Sequence, residues 1–220
     1  MIRLICGLLL AAAVFAQTPI SAPPADEAMA KGRRNGLYSA LNTSMGVITI
    51  QLFEKESPET VRNFVDLAMG KKAWKDPMTG TLKQTPFYDG TVFHRVIPNF
   101  MIQGGEPVGT GAGRVGFIVP DEWTRSSFEF NVPGRVAMAN SGPNTASTQF
   151  FITVGRATNL NDKHTIFGQV VDGMNAAYKI AQTPRDANDK PRTPVVLQSI
   201  QVFRVGPVSL TCDLSARIHT

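Results

Sequence analysis

Short apolar runs alternating with Gly and Pro limit the possible folds of this chain more than any other feature. Residues 90–96, 100–103, 136–139, 149–154 and 165–171 are such runs, bounded by turn-forming residues. Upstream, 37–43 and 47–53 read as two strands joined by a turn at Ser44, Met45 and Gly46. In the second of these, Ile48, Ile50 and Leu52 make one face apolar. Residues 195–205 read as a last strand. Two segments carry helical spacing instead. In the first, Ser57 suits an N-cap and Pro58 the first helical position. Val61, Phe64, Val65 and Ala68 follow at i, i+3, i+4, i+7, and Gly70 supplies the stop. The second covers 174–182, with Ala176, Ala177, Ile180 and Ala181. Many short strands with two helices indicate a β-barrel or sandwich rather than a βαβ fold.

The 220 residues suit one domain with tails, and 13 Phe with 43% hydrophobic residues exclude disorder over most of the length. The net charge of +5 is scattered. Its densest cluster, Lys31, Arg33 and Arg34, reads as a solvated linker, so neither nucleic acid nor a membrane is an expected partner. Residues 1–16 read as a signal peptide. A basic start at Arg3 precedes an apolar run over 4–15, and Val14 and Ala16 mark the cleavage site. That run is too short to span a bilayer, which needs roughly 20 helical residues. The mature chain is therefore expected to be exported, periplasmic or secreted, and free of the membrane after cleavage. Residues 17–36 read as a linker, 37–205 as the folded domain and 206–220 as a tail, with a polar surface loop over 71–84. Cys6 leaves with the signal, so Cys212 has no partner for an internal disulfide.

Most motif-like features carry no chemistry. Gly111, Gly113 and Gly116 match a dinucleotide pattern. No strand is expected before them, Pro120 follows at once, and no acidic residue stands about 20 positions on. His94, His164 and His219 lack metal spacing, so no metal is expected. What remains is the run Phe93-His94-Arg95-Val96-Ile97-Pro98-Asn99-Phe100-Met101-Ile102-Gln103-Gly104-Gly105. An Arg between apolar residues on a strand is costly unless its head is exposed or hydrogen-bonded. Phe100 and Met101 would make an apolar surface beside it, and Gln103 could orient the guanidinium. Two further runs, Met138 to Ile152 and Leu160 to Gly168, carry similar mixtures.

Together these runs resemble the cyclophilin family of peptidyl-prolyl cis–trans isomerases over 37–205. Phe-His-Arg-Val-Ile-Pro, Met-Ile-Gln-Gly-Gly, Met-Ala-Asn, Gln-Phe-Phe-Ile and Lys-His-Thr-Ile-Phe-Gly occur in the family's order at compatible spacings. The resemblance implies a mainly β fold, a closed eight-stranded antiparallel barrel capped by two α-helices. It also implies a site. Arg95 takes the place of the catalytic arginine, with Gln103 and Asn140 beside it. Phe100, Met101, Phe151 and Leu160 line a pocket for the substrate proline. Gln149 is a polar neighbour, Ala139, Asn140 and Ser141 bind the peptide backbone, and His164 sits at the edge. His94 is read as structural support. No cofactor is implied.

Three departures bear on function. Asn159 stands where the family often has a Trp that contacts cyclosporin, so binding of that drug is expected to be weak. Arg114 and Val115 replace residues that tend to be small or proline. The 71–84 loop is longer than in the shortest members and resembles exported bacterial relatives. The implied partners are proline-containing polypeptides, handled by a monomer that assists folding outside the cytoplasm. A module that binds proline segments without turnover is the alternative reading. Arg95 favours the enzyme, since a pure binder has no need of it.

Overall fold

The computed structural model describes residues 20–109 and 115–207. The expected signal peptide, Cys6, Cys212, His219, the tail beyond 207 and the glycines at 111 and 113 lie outside the described residues. In chain order the elements are α1 (Glu27–Ala30), β1 (Gly36–Thr43), β2 (Gly46–Leu52), α2 (Pro58–Ala68), β3 (Trp74–Lys75), β4 (Leu82–Lys83), β5 (Thr91–Val92), β6 (Arg95–Ile97), β7 (Met101–Gly104), β8 (Arg135–Met138), β9 (Phe150–Thr153), β10 (Ile166–Asp172), α3 (Met174–Ala181) and β11 (Val196–Val205). Short 3₁₀ turns occupy Trp123–Arg125 and Thr158–Leu160.

The fold is mainly β. Nine strands form one curled sheet in the order β5-β11-β1-β2-β10-β8-β9-β7-β6, and every pairing in it is antiparallel. Its outermost strands, β5 and β6, are consecutive in the chain, with only Phe93 and His94 between them. The β1–β2 hairpin forms where the alternation places it. Thr43 Oγ1 accepts from the Met45 N–H at 3.1 Å and donates to Gly46 O at 2.6 Å, which fixes the two-residue turn.

Period-2 alternation divides the apolar residues between two faces. Ile48, Ile50, Val96, Ile102, Phe150 and Ile152 join Phe64 of α2 in the main core. Met101, Ala137, Phe151 and Ile166, next in the chain to the core residues Ile102, Val136, Ile152 and Phe167, lie on the other face, in a smaller cluster with Phe130 and Ala157. That second cluster is where the chemistry-bearing residues collect.

Both expected helices form, but the first is capped differently. Ser57 stands at the N-cap without a capping bond, because its hydroxyl donates to Ile166 O at 2.7 Å. Glu122, only 2% exposed, does the capping from elsewhere in the chain. Its two carboxylate oxygens accept from the N–H groups of Glu59 and Thr60 at 3.1 and 2.8 Å. An acidic side chain at the positive end of α2 thus satisfies two N–H groups that the helix itself leaves without partners.

Two further expectations need correction. The polar loop over 71–84 contains the β3–β4 ladder, anchored by buried Trp74, whose Nε1–H donates to Thr85 O at 3.1 Å. The linker expected over 17–36 is, from residue 20 on, a strap that carries the third helix, α1, and bridges to β11 at Arg204. β5 covers only Val196 and Leu197, which leaves the far end of β11 an open edge. There Arg204 N–H donates to Pro23 O at 2.9 Å and Ala25 N–H donates to Arg204 O at 2.8 Å. The buried Arg204 guanidinium makes a bidentate pair with Glu54 at 2.8 Å and also donates to Ile20 O at 3.2 Å. Ile20 itself is 6% exposed. Apolar contacts by Ile20 with the main core and by Ala25, Met29 and Ala30 with Tyr38 and Phe203, together with one free strand edge, order a stretch whose Ala and Pro content gives no periodic signal.

Candidate active site

Strand register assembles the site. Arg95 of β6 is the direct partner of Gln103 on β7, Gln103 of Phe151 on β9, and Phe151 of Ala137 on β8. Because facing partners share a side of the sheet, these four side chains form a row across the second apolar face. Ile97, Met101 and Thr153 form the next row. The turn joining β6 to β7 has Asn99 at φ 60 and is held to β9 by the Val154 N–H, which donates to Phe100 O at 2.8 Å. A Cβ at Gly155 would collide with Asn99 O, so only glycine lets this turn lie against β9.

The apolar part is well supported. Phe151 stacks on buried Phe130 with ring centroids 5.7 Å apart and meets His164 edge-on at 5.3 Å. Phe100, Leu160 and Ala139, half-buried, pack at the rim of the same cluster. Leu160 ends the second 3₁₀ turn, which is tied down where the Ala157 N–H donates to Phe130 O at 2.9 Å. Asn159 on that turn is exposed and outside the apolar cluster, and its carbonyl accepts from Lys163 Nζ at 3.0 Å.

The polar part is distributed around it. Arg95 is 46% exposed in its side chain, and its Nε lies 3.8 Å from Asp189 Oδ2. Gln103 does not serve as the orienting partner expected for it. Its Nε2 donates to Gln149 Oε1 at 2.9 Å, and Asp189 is the group that meets the guanidinium. Asn140 Nδ2 donates to Lys163 O at 2.7 Å, which ties the 139–145 loop to the 161–164 loop. Neighbouring N–H groups are engaged: Ala139 donates to Gln149 O, Ser141 to Thr145 Oγ1 (both at 2.9 Å) and Gly142 to Asn140 Oδ1 at 3.4 Å. The Asn140 N–H carries no such bond among the described residues. His164 Nδ1 lies 3.0 Å from Met138 O, and since a carbonyl only accepts, that nitrogen holds the proton. Burial pushes the pKa of this ring below its ordinary value. His94 is buried on the other side of Arg95 in the chain, and burial depresses it likewise.

Two contributors had no usable signal in the sequence. Phe130 lies on the same side as Phe128 in an irregular stretch, and Asp189 lies in a polar loop with no apolar period. A neighbouring cavity of about 130 Å³ shares His164 and Ile166 with the site and is otherwise lined by Trp123, Phe128, Phe130 and Asn161 among others.

Residues 38–202 match the family model described as "Cyclophilin type peptidyl-prolyl cis-trans isomerase/CLD". The chain belongs to the cyclophilin-type isomerase family. It is 47% identical over 166 residues to peptidyl-prolyl cis-trans isomerase A of Mycobacterium tuberculosis, covering 74% of this chain and 91% of that one. Peptidyl-prolyl cis-trans isomerase B of Streptomyces anulatus is 46% identical over 169 residues, covering 76% and 96%. Among solved structures, a Cryptosporidium parvum cyclophilin type peptidyl-prolyl cis-trans isomerase superposes with a TM-score of 0.66 at 28% identity, covering 77% of this chain and 98% of the other. The same Cryptosporidium protein in the presence of the dipeptide Ala-Pro gives 0.64 at 27% identity, with 77% and 99% covered. The chain is thus an enzyme of the peptidyl-prolyl cis–trans isomerase type, and cyclophilin structures are its fold neighbours.

Proposed function

We propose that the row Arg95–Gln103–Phe151 is where this isomerase twists the X–Pro bond of a polypeptide. The observation that carries the reading is one guanidinium held in ladder register at the edge of an outward-facing apolar cluster. An X–Pro bond rotates against a barrier of ~18–20 kcal/mol and takes tens to hundreds of seconds unaided. Twisting it ends amide conjugation and returns electron density to the proline nitrogen. A site accelerates this by binding the twisted amide better than either planar isomer. In this reading the proline ring sits on Phe100, Met101, Phe151 and Leu160. The Asn140 N–H holds the preceding carbonyl, and Arg95 donates to the nitrogen once it becomes pyramidal. Gln103 and Gln149 keep one another in place, and Ala139, Ser141 and His164 border the bound peptide. Arginine suits this role because it is charged at every relevant pH and presents a planar fork of donors. The Ala-Pro dipeptide used with the Cryptosporidium relative supports a proline-containing substrate.

β5 and β6 count as one strand interrupted at Phe93 and His94, so the curled sheet reads as the closed eight-stranded barrel. The enzyme works as a monomer and assists protein folding outside the cytoplasm, where the 1–16 signal directs it. It binds cyclosporin weakly, since Asn159 gives a bulky ligand no aromatic wall. The test is the purified chain from Gln17 onward, assayed for cis-to-trans conversion of a proline tetrapeptide. Acceleration well above the spontaneous rate is expected. Tight binding of the peptide without acceleration would replace this reading with that of a binding module.

A further inference from the structure

Residues 184–192 form a compact hairpin whose order comes from its own backbone. Arg185 and Pro191 make a β-bridge, and Arg192 N–H donates to Pro184 O at 2.8 Å. At its tip Asp186 Oδ1 accepts from the N–H groups of Asn188 and Lys190 at 2.8 and 2.9 Å. The bond from Lys190 leads the causes that hold the Asp186 carboxyl below its usual range. This turn forces Asp189 into the left-handed region at φ 62, a conformation that Asp and Asn tolerate better than most residues. Asp189 O in turn accepts from the Val96 N–H at 2.8 Å, one residue after Arg95. The hairpin is therefore docked on β6, and the place of docking is the catalytic strand.

From there the Asp189 carboxylate reaches two guanidinium groups. Oδ1 accepts from Arg185 Nε at 3.2 Å, and Oδ2 lies 3.8 Å from Arg95 Nε. The second contact engages Arg95 through its inner nitrogen, and among the described residues neither terminal Nη of Arg95 has a partner. A long side chain that is 46% exposed has several rotamers open to it. A fixed anion at Nε narrows them while leaving the terminal donors free.

We propose that Asp189 is a positioning residue for the isomerisation: it holds Arg95 by Nε so that the Nη groups are free to meet the twisted amide. The inference rests on the role of Arg95 proposed above. The energetic value of a half-exposed pair is modest and screened by salt. Its effect is on geometry, where small displacements weigh heavily.

The experiment uses the chain from Gln17 onward with Asp189→Asn, Arg95→Ala and both together. Asn keeps the size and tolerates the positive φ, so the Val96 bond and the hairpin are preserved. Asp189→Asn should lower kcat/KM on the order of tenfold, with most of the loss in kcat, since misplacing one group by about 1 Å costs up to 10²-fold. In the Arg95→Ala background the same change should cost nothing further. The ¹⁵Nε–¹Hε resonance of Arg95 should shift in Asp189→Asn while the Val96 amide stays in place. If Asp189→Asn retains kcat/KM within about twofold of wild type while Arg95→Ala is inactive, Asp189 positions nothing and the proposal falls alone. An equal loss in both backgrounds would make its role structural. A fully active Arg95→Ala would overturn the underlying assignment instead.

Discussion

His164 and His94 show how enclosure sets the charge of single side chains around Arg95. Burial is the leading cause for both, and it holds each below the ordinary value of 6.5. The folded chain then binds fewer protons than the unfolded one, so stability rises with pH across this range. The contribution is present in full above the unfolded value and is lost as pH falls through the lower, folded values. The urea midpoint should be flat from about pH 8 to 7 and fall between about pH 7 and 5, above the range where the depressed carboxyls of Asp76 and Asp186 titrate. In a His94→Gln, His164→Gln double variant most of that fall should vanish, and an equally steep fall there would contradict the assignment. Asn159 sets a second expectation at this scale. Compared with a Trp, it forgoes a buried aromatic contact and an indole donor, together worth roughly 2–4 kcal/mol or about 30- to 1,000-fold in cyclosporin affinity. Wild type should be inhibited only weakly, and Asn159→Trp should raise the sensitivity. Inhibition of the wild type at nanomolar drug would show that another group supplies the wall.

The helix α2 illustrates what local sequence can and cannot reveal about an element. Its apolar stripe and Pro58 mark where it lies, because those signals act within one or two turns. Its cap is a contact between residues 60 and 122, and Ser57 carries the local cap signature while bonding to β10 instead. Replacing Glu122 by Ala would leave the Glu59 and Thr60 N–H groups unpaired at a partly buried helix end. A loss of about 2–4 kcal/mol is expected in urea unfolding, against about 1 for Glu122→Gln, which keeps one acceptor. A loss in Glu122→Ala below about 0.5 kcal/mol would mean that water replaces the cap. The long strands were legible for a related reason. In β2 the period-2 pattern and the turn chemistry agree on position and face, and Ile48, Ile50 and Leu52 are all buried. The two-residue strands β3, β4 and β5 are too short to carry any period, so their pairing is decided by Trp74 and by the ends of β11.

At the scale of the whole molecule, the strap from Ile20 onward changes what the N-terminal stretch is for. It pairs with the far end of β11 at Arg204 and supplies that buried guanidinium with a further acceptor, Ile20 O, and none of this has a local signature in an Ala- and Pro-rich segment. The site was more legible than the strap, because Arg95, Gln103 and Phe151 lie on strands whose alternation places them on one face. Asp189 was not legible, since its place depends on how a polar hairpin docks. Cleavage after Ala16 would leave the strap complete, with Gln17 three residues ahead of the buried Ile20. Intact-mass analysis of the exported protein should therefore give a chain beginning at Gln17, and a soluble product retaining Met1 would contradict the expected processing. In the proposed mechanism one guanidinium on the outward apolar face lowers the rotation barrier by favouring the twisted amide. The most direct test is kcat/KM for a proline tetrapeptide with folded Arg95→Ala and Arg95→Lys. Arg95→Ala should lose on the order of 10²–10³-fold, the typical cost of removing one preorganised donor. Arg95→Lys should recover little, because an ammonium lacks the planar fork. Near wild-type turnover in a folded Arg95→Ala protein would contradict the account.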